Sequence, residues 1–158
     1  MTNELKVVAP EGTPFIDWER EFDAPVAAVF NAHRDPALVK QWMGPDGTDL
    51  NIEEWDFTTN GHWSHWGESE GIKYTFRGVF HTVRENEFAI QTFEFDGVPD
   101  VVAIESITFT DLGNGRSKLT GHSVYPTVES RDGMVGSDME LGMSQGYDRL
   151  EKIAAGKG

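Results

Sequence analysis

The chain has 158 residues, with 13 Lys and Arg against 27 Asp and Glu, a formal net charge of −14, and no Cys. Such a charge repels nucleic-acid phosphates and anionic membranes, and a cysteine-free chain can build no disulfide framework, thiolate zinc site or thiol nucleophile. Five Trp, 3 Tyr and 10 Phe argue against disorder, and the length suits one domain at roughly 150 residues each. No apolar run approaches the roughly 18 residues of a membrane span, and Met1–Glu11 shows neither a signal nor a transit pattern, so no membrane insertion and a cytoplasmic location are expected.

Residues 1–13 are taken as an N-terminal extension and 14–155 as one domain. Phe15–Phe22 alternates Ile16, Trp18, Arg20 and Phe22 with polar neighbours, which predicts a half-buried strand. Asp23-Ala24-Pro25 follows as a helix entry, with Asp23 as the expected cap. The helix Pro25–His33 carries Val26, Val29, Phe30 and His33 on one stripe. A second short helix, Pro36–Trp42, is stopped by Gly44-Pro45-Asp46-Gly47. Strands are predicted at Asp49–Thr58, His62–Glu68, Ile72–Val83, Phe88–Phe95, Val101–Thr110 and Lys118–Tyr125. The short turns between them require antiparallel neighbours. A long helix from Val128 to about Ala154 closes the chain, with Met139, Met143, Gly146, Leu150 and Ile153 at helical spacing. The predicted fold is α+β of the helix-grip type: a curved antiparallel sheet wrapped around a long C-terminal helix, with two short helices after the first strand.

The segment FDAPVAAVFNAHRDPALVKQWMGP (Phe22–Pro45) resembles the opening of the family related to the activator of Hsp90 ATPase, within the START/Bet v 1-like (SRPBCC) superfamily. The similarity continues in Gly61–Trp63, Tyr74–Gly78, Gln91–Gly97 and Ser130–Leu150, in the family's order. The resemblance implies a cavity between the last helix and the sheet, used in the superfamily for hydrophobic small molecules, lipids or, in some branches, catalysis. It also brings a stress or chaperone setting into view, so a chaperone contact and a homodimer are left open.

The candidate lining residues come from that geometry. Four of the five tryptophans fall between Trp42 and Trp66, an aromatic wall for a flat apolar ligand, and Trp42 and Met43 belong to the turn before the sheet. Trp63 and His65 share one strand face, with Ser64 and Trp66 on the other; the resemblance, which carries a Gly-x-Trp here, implies Trp63 as the inward one. Tyr74, Phe76 and Phe93 extend the wall. Glu105 alternates with Ile107 and Phe109, which turns it inward, where a buried carboxyl could handle a proton. Met139 and Met143 are flexible apolar fillers on the last helix. Its glycines, Gly133, Gly136, Gly142 and Gly146, suggest either close approach by strands or a ligand or a loose stretch before Met139. His62 and His65, three apart on a strand, face opposite ways and cannot share an ion, so no metal is expected, and no cofactor either. No nucleophile elbow or phosphate loop is present. Binding of a small hydrophobic or aromatic molecule is therefore favoured over a cyclase- or hydrolase-like enzyme or a chaperone adaptor, because inward aromatics outnumber inward acids.

Overall fold

The computed structural model describes residues 3–156. Its elements are β1 (Lys6–Val8), β2 (Phe15–Phe22), α1 (Val26–Arg34), α2 (Pro36–Trp42), β3 (Asn51–Trp55), β4 (Gly61–Ser69), β5 (Ile72–Arg84), β6 (Phe88–Phe95), β7 (Ala103–Gly113), β8 (Arg116–Val124), α3 (Val128–Val135) and α4 (Met139–Ala154). The eight strands form one antiparallel sheet in the order β1-β2-β8-β7-β6-β5-β4-β3. The helices cover one face of it, the helix-grip arrangement anticipated above.

The alternation in β2 is realised: Ile16, Trp18, Arg20 and Phe22 are buried, and the residues between them stay partly exposed. The core gathers these with Phe30, Phe57, Trp63, Phe80, Phe109, Leu119, Tyr147 and Leu150. Burial of this apolar surface is what stabilises the sheet against the helices.

Three local expectations are corrected. The segment Lys6–Val8, counted within the N-terminal extension, pairs with β2 as an edge strand. Asp23 does not cap α1: the cap position is Pro25, with no side-chain hydrogen bond. The Asp23 carboxylate instead accepts from Arg116 Nε at 2.9 Å, because an ion pair across the β2–β8 end outcompetes a local cap. The last helix is two helices. Gly136 ends α3, and Asp138 takes a left-handed conformation (φ 62°) before α4 begins. Glycine and Asp tolerate such breaks, which the apolar periodicity of α4 alone concealed.

α4 spans 16 residues, about 24 Å, and is anchored at its C-terminal half. Arg20, fully buried on β2, reaches Asp148 at 2.8 Å and Glu151 at 3.3 Å, and its guanidinium lies over the Phe22 ring. Arg149 donates to the carbonyls of Trp42 and Gly44 and pairs with Asp46. Gly146 explains the close approach of this loop: a Cβ there would stand 2.9 Å from the Trp42 carbonyl oxygen. The partner across that glycine is thus the loop after α2 and not a strand or a ligand. Gly133, by contrast, faces open space.

These two glycines make a paired prediction for urea unfolding. Gly146→Ala is expected to cost about 1–3 kcal/mol, since the loop must move. Gly133→Ala is expected to be neutral or to stabilise by up to about 1 kcal/mol, through helix propensity alone. Equal effects at both positions would contradict the packing described.

Candidate functional site

On β4, Trp63 and His65 face inward together, while His62 is exposed on the other side. The Trp63 indole lies across Gly78 of β5, where a Cβ would come within 2.4 Å of Trp63 Nε1. The small residue is therefore required for the ring to lie flat on the sheet. His65 stacks on Trp63 with centroids 5.2 Å apart, and Phe76 lies 5.4 Å beyond it. Phe93 sits 6.0 Å from Trp63 and 5.6 Å from Phe76, and Phe95 stacks on Phe76 at 5.0 Å. Tyr74 joins this run through Phe95 at 5.9 Å. Phe76, Phe93, Phe95 and Tyr74 are all only half-buried. Strands β4, β5 and β6 thus carry one continuous aromatic surface that the helices do not seal.

Glu105 stands on β7 opposite Gln91 of β6 and Ser123 of β8. Gln91 Nε2 donates to one carboxyl oxygen at 3.0 Å, and Ser123 Oγ donates to the other at 3.0 Å. Desolvation pushes the carboxyl above its ordinary range, against those two hydrogen bonds. Glu105 nonetheless keeps accessible surface. Burial, and secondarily the Glu105 charge, also raises the hydroxyls of Tyr125 and Tyr147, which stay neutral. Tyr147 accepts from Trp18 Nε1 at 3.2 Å and so points from α4 toward the sheet. Met143 and Met139 lie one and two turns before it on the same helix face, both half-buried against the core.

The expected lining residues thus divide. Trp63, His65, Tyr74, Phe76 and Phe93 come together as one surface, Glu105 stands beside it across Gln91, and Met139 and Met143 share the inward face of α4. Trp42 goes elsewhere: it is 5% exposed, donates its indole N–H to Ala32 O at 2.8 Å and stacks on Tyr147. It is core between helices, and Met43, half-buried, ends α2 beside it. Gln91, Ser123, Tyr125 and Phe95 were not anticipated. Their signal was there in the alternation of Ala89, Gln91, Phe93 and Phe95 and of Gly121, Ser123 and Tyr125.

Two polar atoms in the aromatic surface, Trp63 Nε1 and His65 Nδ1, are buried without a hydrogen-bond partner. Leaving such a group unpaired costs about 1–3 kcal/mol. Two surface hollows are present besides this surface, the first bordering it through Trp55, whose ring lies 6.1 Å from Trp63. One, between α2 and the β3 edge, includes Lys40, Ile52, Trp55 and Trp66; the other includes Lys6, Glu19 and Lys118. Among the described residues, no group of three or more His, Asp or Glu could hold a metal ion, and no helix is long and apolar enough to cross a membrane.

Over residues 23–155 the sequence matches the family described as Activator of Hsp90 ATPase homolog 1-like protein. The chain belongs to this family. A solution structure of a protein from Arthrobacter aurescens is similar with a TM-score of 0.84 at 21% identity, covering 96% of this chain and 91% of that one. A crystal structure of a protein from Rhodobacter sphaeroides gives 0.85 at 20% identity, covering 97% and 99%. DynU16, a protein of the dynemicin biosynthetic locus, gives 0.60 at 20% identity, covering 88% of this chain and 46% of that one. At these identities the likeness is one of fold. No curated protein matches the sequence.

The family fold here buries two histidines in neutral form. Desolvation takes His65 and His33 down to about 4 from 6.5, partly offset at His33 by its bond to Val29 O. Below pH 6.5 the unfolded chain takes up these protons first. Stability is therefore full above pH 6.5 and falls as pH drops toward 4, by on the order of 3 kcal/mol per histidine. Glu105, raised instead, is protonated first in the folded state and offsets part of that loss. Thermal unfolding of wild type against His65→Phe between pH 7.5 and 4.5 should show a shallower decline in the variant. Parallel curves would contradict the burial of His65 as a neutral base.

Proposed function

We propose that this protein binds a small hydrophobic or aromatic molecule against the inner face of its sheet, beneath the N-terminal half of α4. The observation that carries this reading is the half-buried Glu105 beside an unsealed aromatic surface. Binding sites are mostly apolar with a few placed polar groups, and this surface has that composition. Phe76 and Phe93 would supply the flat contacts, Met139 and Met143 an adaptable cover, and Glu105 with Gln91 and Ser123 the polar end. Apolar area removed from water is worth roughly 25 cal/mol per Å2, so the half-exposed rings are the main source of affinity.

A second reading is an enzyme acting on such a molecule. It is favoured by one feature, the convergence of a desolvated carboxyl with the Ser123 and Gln91 side chains. A carboxyl that burial pushes above its ordinary range is suited to general acid–base work. In that case Glu105 is the proton handler and the aromatic surface positions the substrate. The two readings share one site, and ligand binding is the step common to both.

The neutral naphthyl probe prodan tests that step, because its emission rises and shifts blue in apolar surroundings. Saturable binding is expected, weakened at least about fivefold in Phe93→Ser by the lost ring contact. A probe that shows no saturable binding, or binds both proteins equally, would sink the proposed site.

A further inference from the structure

Glu105 is a carboxyl without a cation. Among the described residues no lysine, arginine or histidine forms an ion pair with it. The groups that face it from the packed elements are all neutral: Gln91 from β6, Ser123 and Tyr125 from β8, and Tyr147 from α4. Arg20, the buried cation of β2, is committed to Asp148 and Glu151. Yet the local hydrogen bonding suits an ionised carboxylate, because both of its oxygens accept from side-chain donors. An isolated buried carboxylate is costly unless paired, and here two neutral donors stand where a charged partner is missing.

We infer that the molecule bound on this face carries a protonated amine, which pairs with Glu105 while its apolar body lies against Phe93 and Phe76. The inference rests on the binding site proposed above and names the class of its ligand. Three features converge on a cation. The carboxylate supplies the counter-charge and the two donors hold its orientation. The neighbouring ring faces attract a positive charge, most strongly where water is excluded. The formal charge of −14 raises the local concentration of cationic ligands and disfavours anionic ones.

Isothermal titration calorimetry at pH 7 with three probes of one shape decides the matter: 2-naphthylmethylamine, 2-naphthylmethanol and 2-naphthoate. The amine is expected to bind at least about tenfold more tightly than the alcohol, and the carboxylate more weakly than either. In Glu105→Gln, an isosteric change, the amine's advantage over the alcohol is expected to disappear. An alcohol or carboxylate that matches the amine on the wild-type protein would overturn the inference while leaving the apolar site intact. So would an amine preference that survives Glu105→Gln, since the general negative charge would then be its source. Failure of all three probes to bind would overturn the site itself, and the inference with it.

Discussion

The architecture depends on one buried cation. Arg20 is 1% exposed on the inner face of β2, a position that apolar residues occupy on either side. Removing a guanidinium from water costs several kcal/mol, and the structure answers with Asp148, Glu151 and the Glu21 carbonyl. Two of these partners come from α4, so the charge can be satisfied only when that helix is docked on β2. The pair therefore specifies where α4 lies, even if its net contribution to stability is small. Replacing Arg20 alone would remove the charge that draws Asp148 and Glu151 of α4 to β2.

That latch acts at one end only. Leu150 and Tyr147 are sealed near it, and Gly146 brings the helix down onto the loop after α2. Two turns earlier, Met139 and Met143 are half-buried and Leu141 is 57% exposed. The same helix is thus fixed at its C-terminal half and only loosely covered at its N-terminal half. The half-buried rings of β5 and β6 and Glu105 share the sheet face on which the helices pack. A grip closed at one end and open at the other is a reasonable way to keep a stable domain and an accessible apolar surface in one small core.

Much of this was legible in the residues. The strands from β2 to β8 announce themselves by alternation and by turns such as Gly113-Asn114-Gly115, and their short connections require an antiparallel sheet. Parity set Trp63 and His65 of β4 against His62 and Trp66, and the family's Gly-x-Trp pointed to the Trp63 face as the inward one, as found. Parity also turned Glu105 inward. What periodicity could not convey was competition between partners. Asp23 looks like a cap, but Arg116 sits within ion-pair reach only after β8 folds beside β2. Trp42 looks like one more ring of an aromatic wall, yet the Ala32 carbonyl claims its N–H between two helices. The glycines of the last helix signal either close approach or a loose stretch before Met139; Gly146 admits a loop backbone, and the stretch before Met139 is where α3 ends at Gly136. The three-residue β1 is too short to leave a pattern, and pairing with β2 is what makes it a strand. Local signals located the surface, while long-range contacts decided which residues remain free to use it.

The tryptophan indole N–H resonances report on this account directly, because the five rings sit in distinct places. Trp63 lies in the proposed surface with its Nε1 unpaired, whereas Trp66 is on the opposite sheet face, bonded to Glu53 and covered by Lys73. Titration of 15N-labelled protein with an apolar aromatic probe is the decisive measurement. The account predicts that the Trp63 indole signal shifts strongly and that of Trp66 stays in place. Shifts confined to Trp66 and Trp55 would locate binding in the groove beside α2 and contradict the inner face as the site.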